Sequence, residues 1–148
     1  MLLPLQFVAV AGSAVFAGVM LAIALILGTY WRSLPPAEFL AWFAANSGVI
    51  ARTIPLVVVP TLLGLVGSIV LCWSDATARA LWLAALACIV ALLALTIAYF
   101  LPINATFNEG SVALRDVPER IDAWLAMHWV RIALAFASAA LGFAAATR

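Results

Sequence analysis

The chain alternates long apolar runs with short polar breaks. Apolar residues fill four windows, at about 5–30, 53–73, 79–100 and 121–146. A helix needs about 20 such residues to cross the hydrocarbon core of a bilayer. Arg131 is the one charge set well inside a window. Strands are excluded, because backbone exposed to lipid must satisfy its own hydrogen bonds. The pattern therefore predicts an all-α integral membrane protein, an antiparallel four-helix bundle in a single domain over 1–148. The first run has no basic segment ahead of it and is too long for the apolar part of a signal peptide. It is read as a membrane helix.

The breaks differ in character. Ser74 to Ala78 is a minimal link that opens on a Ser-Asp turn signal. Between the first two spans, Pro35-Pro36 starts a short helix. Phe39, Leu40, Trp42 and Phe43 make it an amphipathic segment lying at the interface, and Asn46 and Gly48 are expected to break it. After the third span, Pro102-Ile-Asn104 is expected to close the helix. The fourth opens on Asp116-Val-Pro118-Glu119, a cap residue followed by Pro in the first turn and an acid three positions on. Arg32, Arg52, Arg115 and Arg120 fall on the side of the two long connections, and Arg79 and Arg148 on the other. The positive-inside rule places the long loops in the cytoplasm and both termini outside.

Composition narrows the partners. With 68% hydrophobic and 9% charged residues, the solvent has to be largely lipid. A net charge of +1 argues against nucleic acid. The lipid bilayer and a hydrophobic small molecule remain, and the small-residue face from Gly12 to Gly18 offers a route to a homo-oligomer. Seven arginines and no lysine, with abundant Ala and Leu, point to a GC-rich bacterial genome and so to a bacterial inner membrane. Cys72 and Cys88 lie in different windows, form no CxxC pair, and read as small apolar core residues.

The candidate chemistry sits in the last span. Trp124, His128, Arg131, Ala135, Ser138 and Gly142 follow one another at spacings of three or four, so they share one helix face. Arg131 cannot face acyl chains at that depth, and an intramembrane ionisable group marks a functional site by default. The stripe must therefore face the bundle, with His128, the only histidine, just above Arg131. The plainer alternative is that both merely snorkel and bond loop carbonyls. Tyr99 and Asn104 end the third span on the same side, and Asn108 and Glu109 are the nearest polar groups to pair with Arg131 or orient His128. Gly64-Leu-Val-Gly67, Pro55 and Pro60 read as packing and kinking features.

Metal binding scores poorly, with one histidine and no carboxylate deep in a span. No Gly-rich phosphate loop, GxSxG or HExxH occurs. No cofactor is expected; a haem with His128 as its lone axial ligand, or a copper, is the alternative that an absorption spectrum would reveal.

On Pro-Ile-Asn104, Trp124-x3-His128-x2-Arg131, the early Phe16-Ala-Gly18, the Leu34-Pro35 turn and Asn46, the chain resembles the anthrone-oxygenase-like membrane proteins over nearly its whole length. These are small four-helix proteins, most of unknown function, whose characterised fungal members are linked to oxidising anthrones to anthraquinones. The resemblance implies a membrane oxidoreductase, monooxygenase-like and without an evident cofactor, acting on a hydrophobic phenolic or quinol-type aromatic. It implies His128 as base, Arg131 as stabiliser of an anion or peroxide, Asn104 as orienting group and Trp124 as a stacking surface for substrate. Tyr99, Asn108 and Glu109 would complete the binding site. Ala126-Met127 ahead of His128 is less polar than the family's usual pattern, which leaves the substrate open. The competing reading is a non-catalytic membrane protein whose pocket holds a lipid, a quinone or a partner helix. A proton-coupled exporter is the weakest, because such pumps carry a carboxylate in the membrane.

Overall fold

The computed structural model describes residues 2–148. These form four long helices: α1 (2–33), α2 (Pro36–Leu71), α3 (Ala76–Asn108) and α4 (Val117–Ala146), the last preceded by a 3-10 turn at Leu114–Asp116. All four are long and apolar enough to cross a membrane, and no strand is present among the described residues. The chain is an all-helical integral membrane protein, as the apolar windows predict.

The outer surface is apolar: Phe7, Leu56, Leu63, Val70, Ile97 and Phe143 are all exposed. Lipid as solvent explains this, since burial against protein gains little for a side chain that lipid already solvates. Close backbone approach does the packing instead. α1 lies along α2 and against α4, and α3 lies along α4, while α2 and α3 touch less. Gly64 of α2 meets the backbone of Ala9, and Gly12 of α1 meets Thr61. Ser13 and Ser138 bond across α1 and α4 at 3.1 Å. The Gly12 part of the small-residue face is thus used inside the bundle, while Ala14 and Gly18 stay open.

A Cβ on Gly64 would sit 2.6 Å from the amide nitrogen of Ala9, which is backbone and cannot swing away. Gly64→Ala is expected to push α1 and α2 apart and to cost about 1–3 kcal/mol. Unfolding in mixed detergent measures it, and a variant as stable as the parent would disprove the contact.

The helix ends depart from the sequence reading in three places. The expected interfacial helix does start at Pro36, but it runs on as the first turns of α2. Asn46 returns its amide to the carbonyl of Trp42 at 2.8 Å, so it stays compatible with the helix. Phe39, Leu40 and Phe43 are buried within an aromatic cluster, and this packing outweighs the modest propensity cost of Asn46 and Gly48. α3 does not close at Asn104. A π-turn at Thr96–Phe100 ends one residue short of Pro102, and the α-helix resumes from Leu101 to Asn108. At α4, Pro118 occupies the first turn with Glu119, but the Asp116 side chain makes no cap bond and lies 3.4 Å from Arg115. Asp75 does cap α3, accepting from the Thr77 and Ala78 amides at 3.0 Å.

At about 1.5 Å per residue these helices are roughly 45–55 Å long, against about 30 Å of hydrocarbon. The helices thus exceed a perpendicular crossing, and the two long connections share one end of the bundle. There an aromatic cluster of Trp31, Phe39, Phe43, Phe100, Phe107 and Trp124 caps the aliphatic core below.

Candidate functional site

The six-residue stripe of α4 is buried throughout, from Trp124 to Gly142. Where aromatic cluster and aliphatic core meet, its upper part borders a cavity of about 230 Å³. α1 contributes Phe16, Met20 and Trp31 to the wall, α3 contributes Thr96, Phe100 and Asn104, and α4 contributes Trp124, His128 and Arg131. Phe43 and residues from Ser47 to Pro55 line it from α2. The exposed members of the lining, Ala51, Pro55 and Leu101, belong to α2 and α3. The cavity thus opens sideways between two neighbouring helices that pack less closely than the other neighbours do. Ser47 donates to Asn108 at 2.8 Å and ties those helices together at the loop end of the gap. Two π-turns, Ile23–Leu27 and Thr96–Phe100, flank the same level; such turns recur at functional sites.

The polar wall is built by a chain of contacts. Asn104 accepts the Trp124 indole N–H at 2.9 Å. The Trp124 ring stacks on His128 at 4.7 Å between centroids and 19° between planes. His128 is fully buried, with Nε2 2.9 Å from the carbonyl of Met20. A carbonyl only accepts, so Nε2 carries the proton. The lone pair of the neutral ring is then on Nδ1, which is buried and has no partner. One turn further, Arg131 donates to the Met20 sulfur at 3.2 Å and lies over the Phe100 ring at 4.1 Å. Its Nε is buried and unpartnered, and among the described residues no carboxylate pairs with it.

Of the residues expected at the site, Asn104, Trp124, His128 and Arg131 line one cavity. Tyr99, Asn108 and Glu109 do not. Tyr99 packs edge-on against Phe100 at 5.1 Å. Because α3 continues past Asn104, it carries Asn108 and Glu109 out to the exposed loop end. Trp124, expected as a stacking surface for substrate, has one face on His128 and edge contacts with Trp31 and Phe100. It orients the imidazole. Met20, Phe100 and Trp31 were not expected; apolar residues in apolar helices carry no signal of their own in a single sequence. Pro55, read as a packing feature, lines the mouth.

Asn104→Leu removes the acceptor of the Trp124 N–H and should cost about 1–3 kcal/mol. It should also loosen His128, which a changed imidazole proton resonance and a reduced turnover would register together; an unchanged resonance would exclude the positioning role.

The model of a family described as anthrone oxygenase matches residues 42–141. The chain belongs to this family. No curated protein and no solved structure matches it. The matched span holds Asn104, Trp124, His128 and Arg131, whereas Phe16, Met20 and Trp31 of α1 lie outside it. The Met20 carbonyl that fixes the His128 tautomer thus lies in the part of this anthrone-oxygenase-family chain that the match does not reach.

Proposed function

We propose that the protein is a membrane-embedded oxygenase of a hydrophobic phenolic or quinol-type aromatic, working without a cofactor. The observation that carries this is the pairing of an unpartnered imidazole acceptor, His128 Nδ1, with an uncompensated guanidinium on one wall of an aromatic-lined cavity. His128 takes a proton from the activated CH2 of an anthrone-like substrate, and the electron pair delocalises onto the ring oxygen. Arg131 stabilises that oxyanion from the buried wall of the cavity. The anion transfers an electron to O2, and the radical pair combines to form a C–O bond. The peroxide takes up a proton from the imidazolium. Loss of the remaining C–H proton with cleavage of the O–O bond then yields the ketone and water. One O2 is consumed per CH2 oxidised to C=O. Asn104 and Trp124 hold the imidazole, and Phe16, Phe43 and Phe100 receive the flat substrate.

The setting is a bacterial inner membrane, with the long loops and the cavity toward the cytoplasmic surface. The test is O2 uptake by the protein in lipid nanodiscs supplied with anthrone. Uptake above the spontaneous rate, with one atom of 18O2 in the product carbonyl, is expected. A rate equal to that of empty nanodiscs would leave the cavity as a binding site alone.

A further inference from the structure

Three residues that line the cavity each keep a buried nitrogen without a partner: Trp31 Nε1, His128 Nδ1 and Arg131 Nε. Two are donors, and one of these belongs to a permanent cation that is only 7% exposed. Its protein contacts are a thioether and a phenyl face, neither of which carries a countercharge. The two ion pairs of the described residues, Arg32–Asp122 and Arg115–Asp116, lie on the surface. A neutral carbonyl ligand would satisfy a donor and leave the charge unbalanced. An oxyanion does both, and charge-assisted bonds to a guanidinium are the stronger kind.

The rest of the cavity limits what carries that oxyanion. Its walls are ringed by Phe16, Trp31, Phe43 and Phe100. Its volume of about 230 Å³ lies below the range of about 300–1,000 Å³ typical of drug-sized sites. That admits a small flat aromatic body. The exposed lining is on α2 and α3, whereas Arg131 stands on the opposite, buried wall. A ligand arriving through the gap therefore meets Arg131 with its leading end and leaves its apolar body toward the lipid.

We infer that the cavity holds its ligand as an anion: a lipophilic aromatic carboxylate or ionised phenol, with its oxyanion on Arg131 and its ring system toward the α2–α3 opening. The inference rests on the site assigned above. It adds the charge state of the bound ligand and does not depend on turnover.

Matched probes test it: 2-naphthoate, its neutral isostere 2-naphthamide, and decanoate, a carboxylate without a ring. Each is titrated against the protein in zwitterionic nanodiscs, with thermal unfolding as the readout. A saturable rise in Tm is expected with 2-naphthoate, at least tenfold weaker apparent binding with 2-naphthamide and decanoate, and loss of the 2-naphthoate shift in Arg131→Met. Arg131→Lys keeps the charge and should keep the order of the probes at lower affinity. Equal shifts from 2-naphthoate and 2-naphthamide, a decanoate shift matching that of 2-naphthoate, no shift from any probe, or an undiminished shift in Arg131→Met would overturn it. The wild-type comparison stands even where a variant fails to assemble. Anion-selective binding without anthrone turnover would sink the oxygenase reading alone. Turnover with no preference for the anion would sink this inference alone.

Discussion

Replacing His128 by glutamine should lower anthrone oxidation by about 10²–10⁴-fold while leaving a folded bundle, the usual range for removing a positioned general base. Glutamine retains an N–H that can donate to the Met20 carbonyl, now 2.9 Å from Nε2, but offers no nitrogen that takes up a proton at neutral pH. The change therefore separates the two jobs of the imidazole. His128→Ala removes both and leaves a void beside Trp124, so its losses in stability and turnover would be mixed. O2 uptake in nanodiscs gives the rate, and thermal unfolding with helical circular dichroism gives the fold. Turnover of His128→Gln within twofold of the parent, at equal protein in the membrane, would show that His128 is not the base.

The fold was legible because lipid imposes a simple grammar. Long uncharged runs leave the helix as the one way to pair the backbone. The inward face of α4 followed from one costly residue, since Arg131 could turn only toward protein, and every member of its stripe is buried. Helix ends were less legible. Pro102 and Asn46 are breakers by local propensity, yet α3 absorbs the first behind a π-turn and α2 bonds the second back to Trp42. A propensity cost below about 1 kcal/mol, as at Asn46, is readily overridden by packing. The cost of about 3 kcal/mol for a helical Pro needs a local change in the helix such as this π-turn.

The same errors explain the site residues that moved. Asn108 and Glu109 were placed beside Arg131 on the expectation that α3 ended at Asn104; one further turn of helix puts them at the loop end instead. Met20 was invisible for a different reason. It contributes a carbonyl to His128 and a sulfur to Arg131. The first is backbone, which every residue has, and the second belongs to a side chain that reads as core. Residues that act through generic atoms leave no trace in one sequence. Trp124 shows the converse: its place at the site was legible, but the stacking of one face of its ring on His128 was not.

Arg131→Met should leave the bundle as stable as the parent or more so, while turnover falls by about 10²–10³-fold, the range for losing one preorganised stabiliser of a developing oxyanion. The two halves of this expectation come from the same geometry. A buried arginine that serves structure is paired, and removing it strands a carboxylate at a cost of about 3–5 kcal/mol. Arg131 has no such partner among the described residues. Placing it in a membrane helix costs about 2.5–3.5 kcal/mol, and its stacking on Phe100 at 4.1 Å returns about 0.5–2 kcal/mol. Methionine fills similar length, restores an apolar contact to the sulfur of Met20 and removes the charge. Unfolding and O2 uptake on one preparation decide the matter. A large drop in stability, with turnover falling only in proportion to folded protein, would make Arg131 a structural bolt between α4 and α1. Stability held or raised with turnover lost would mean that the fold tolerates this charge for what binds to it.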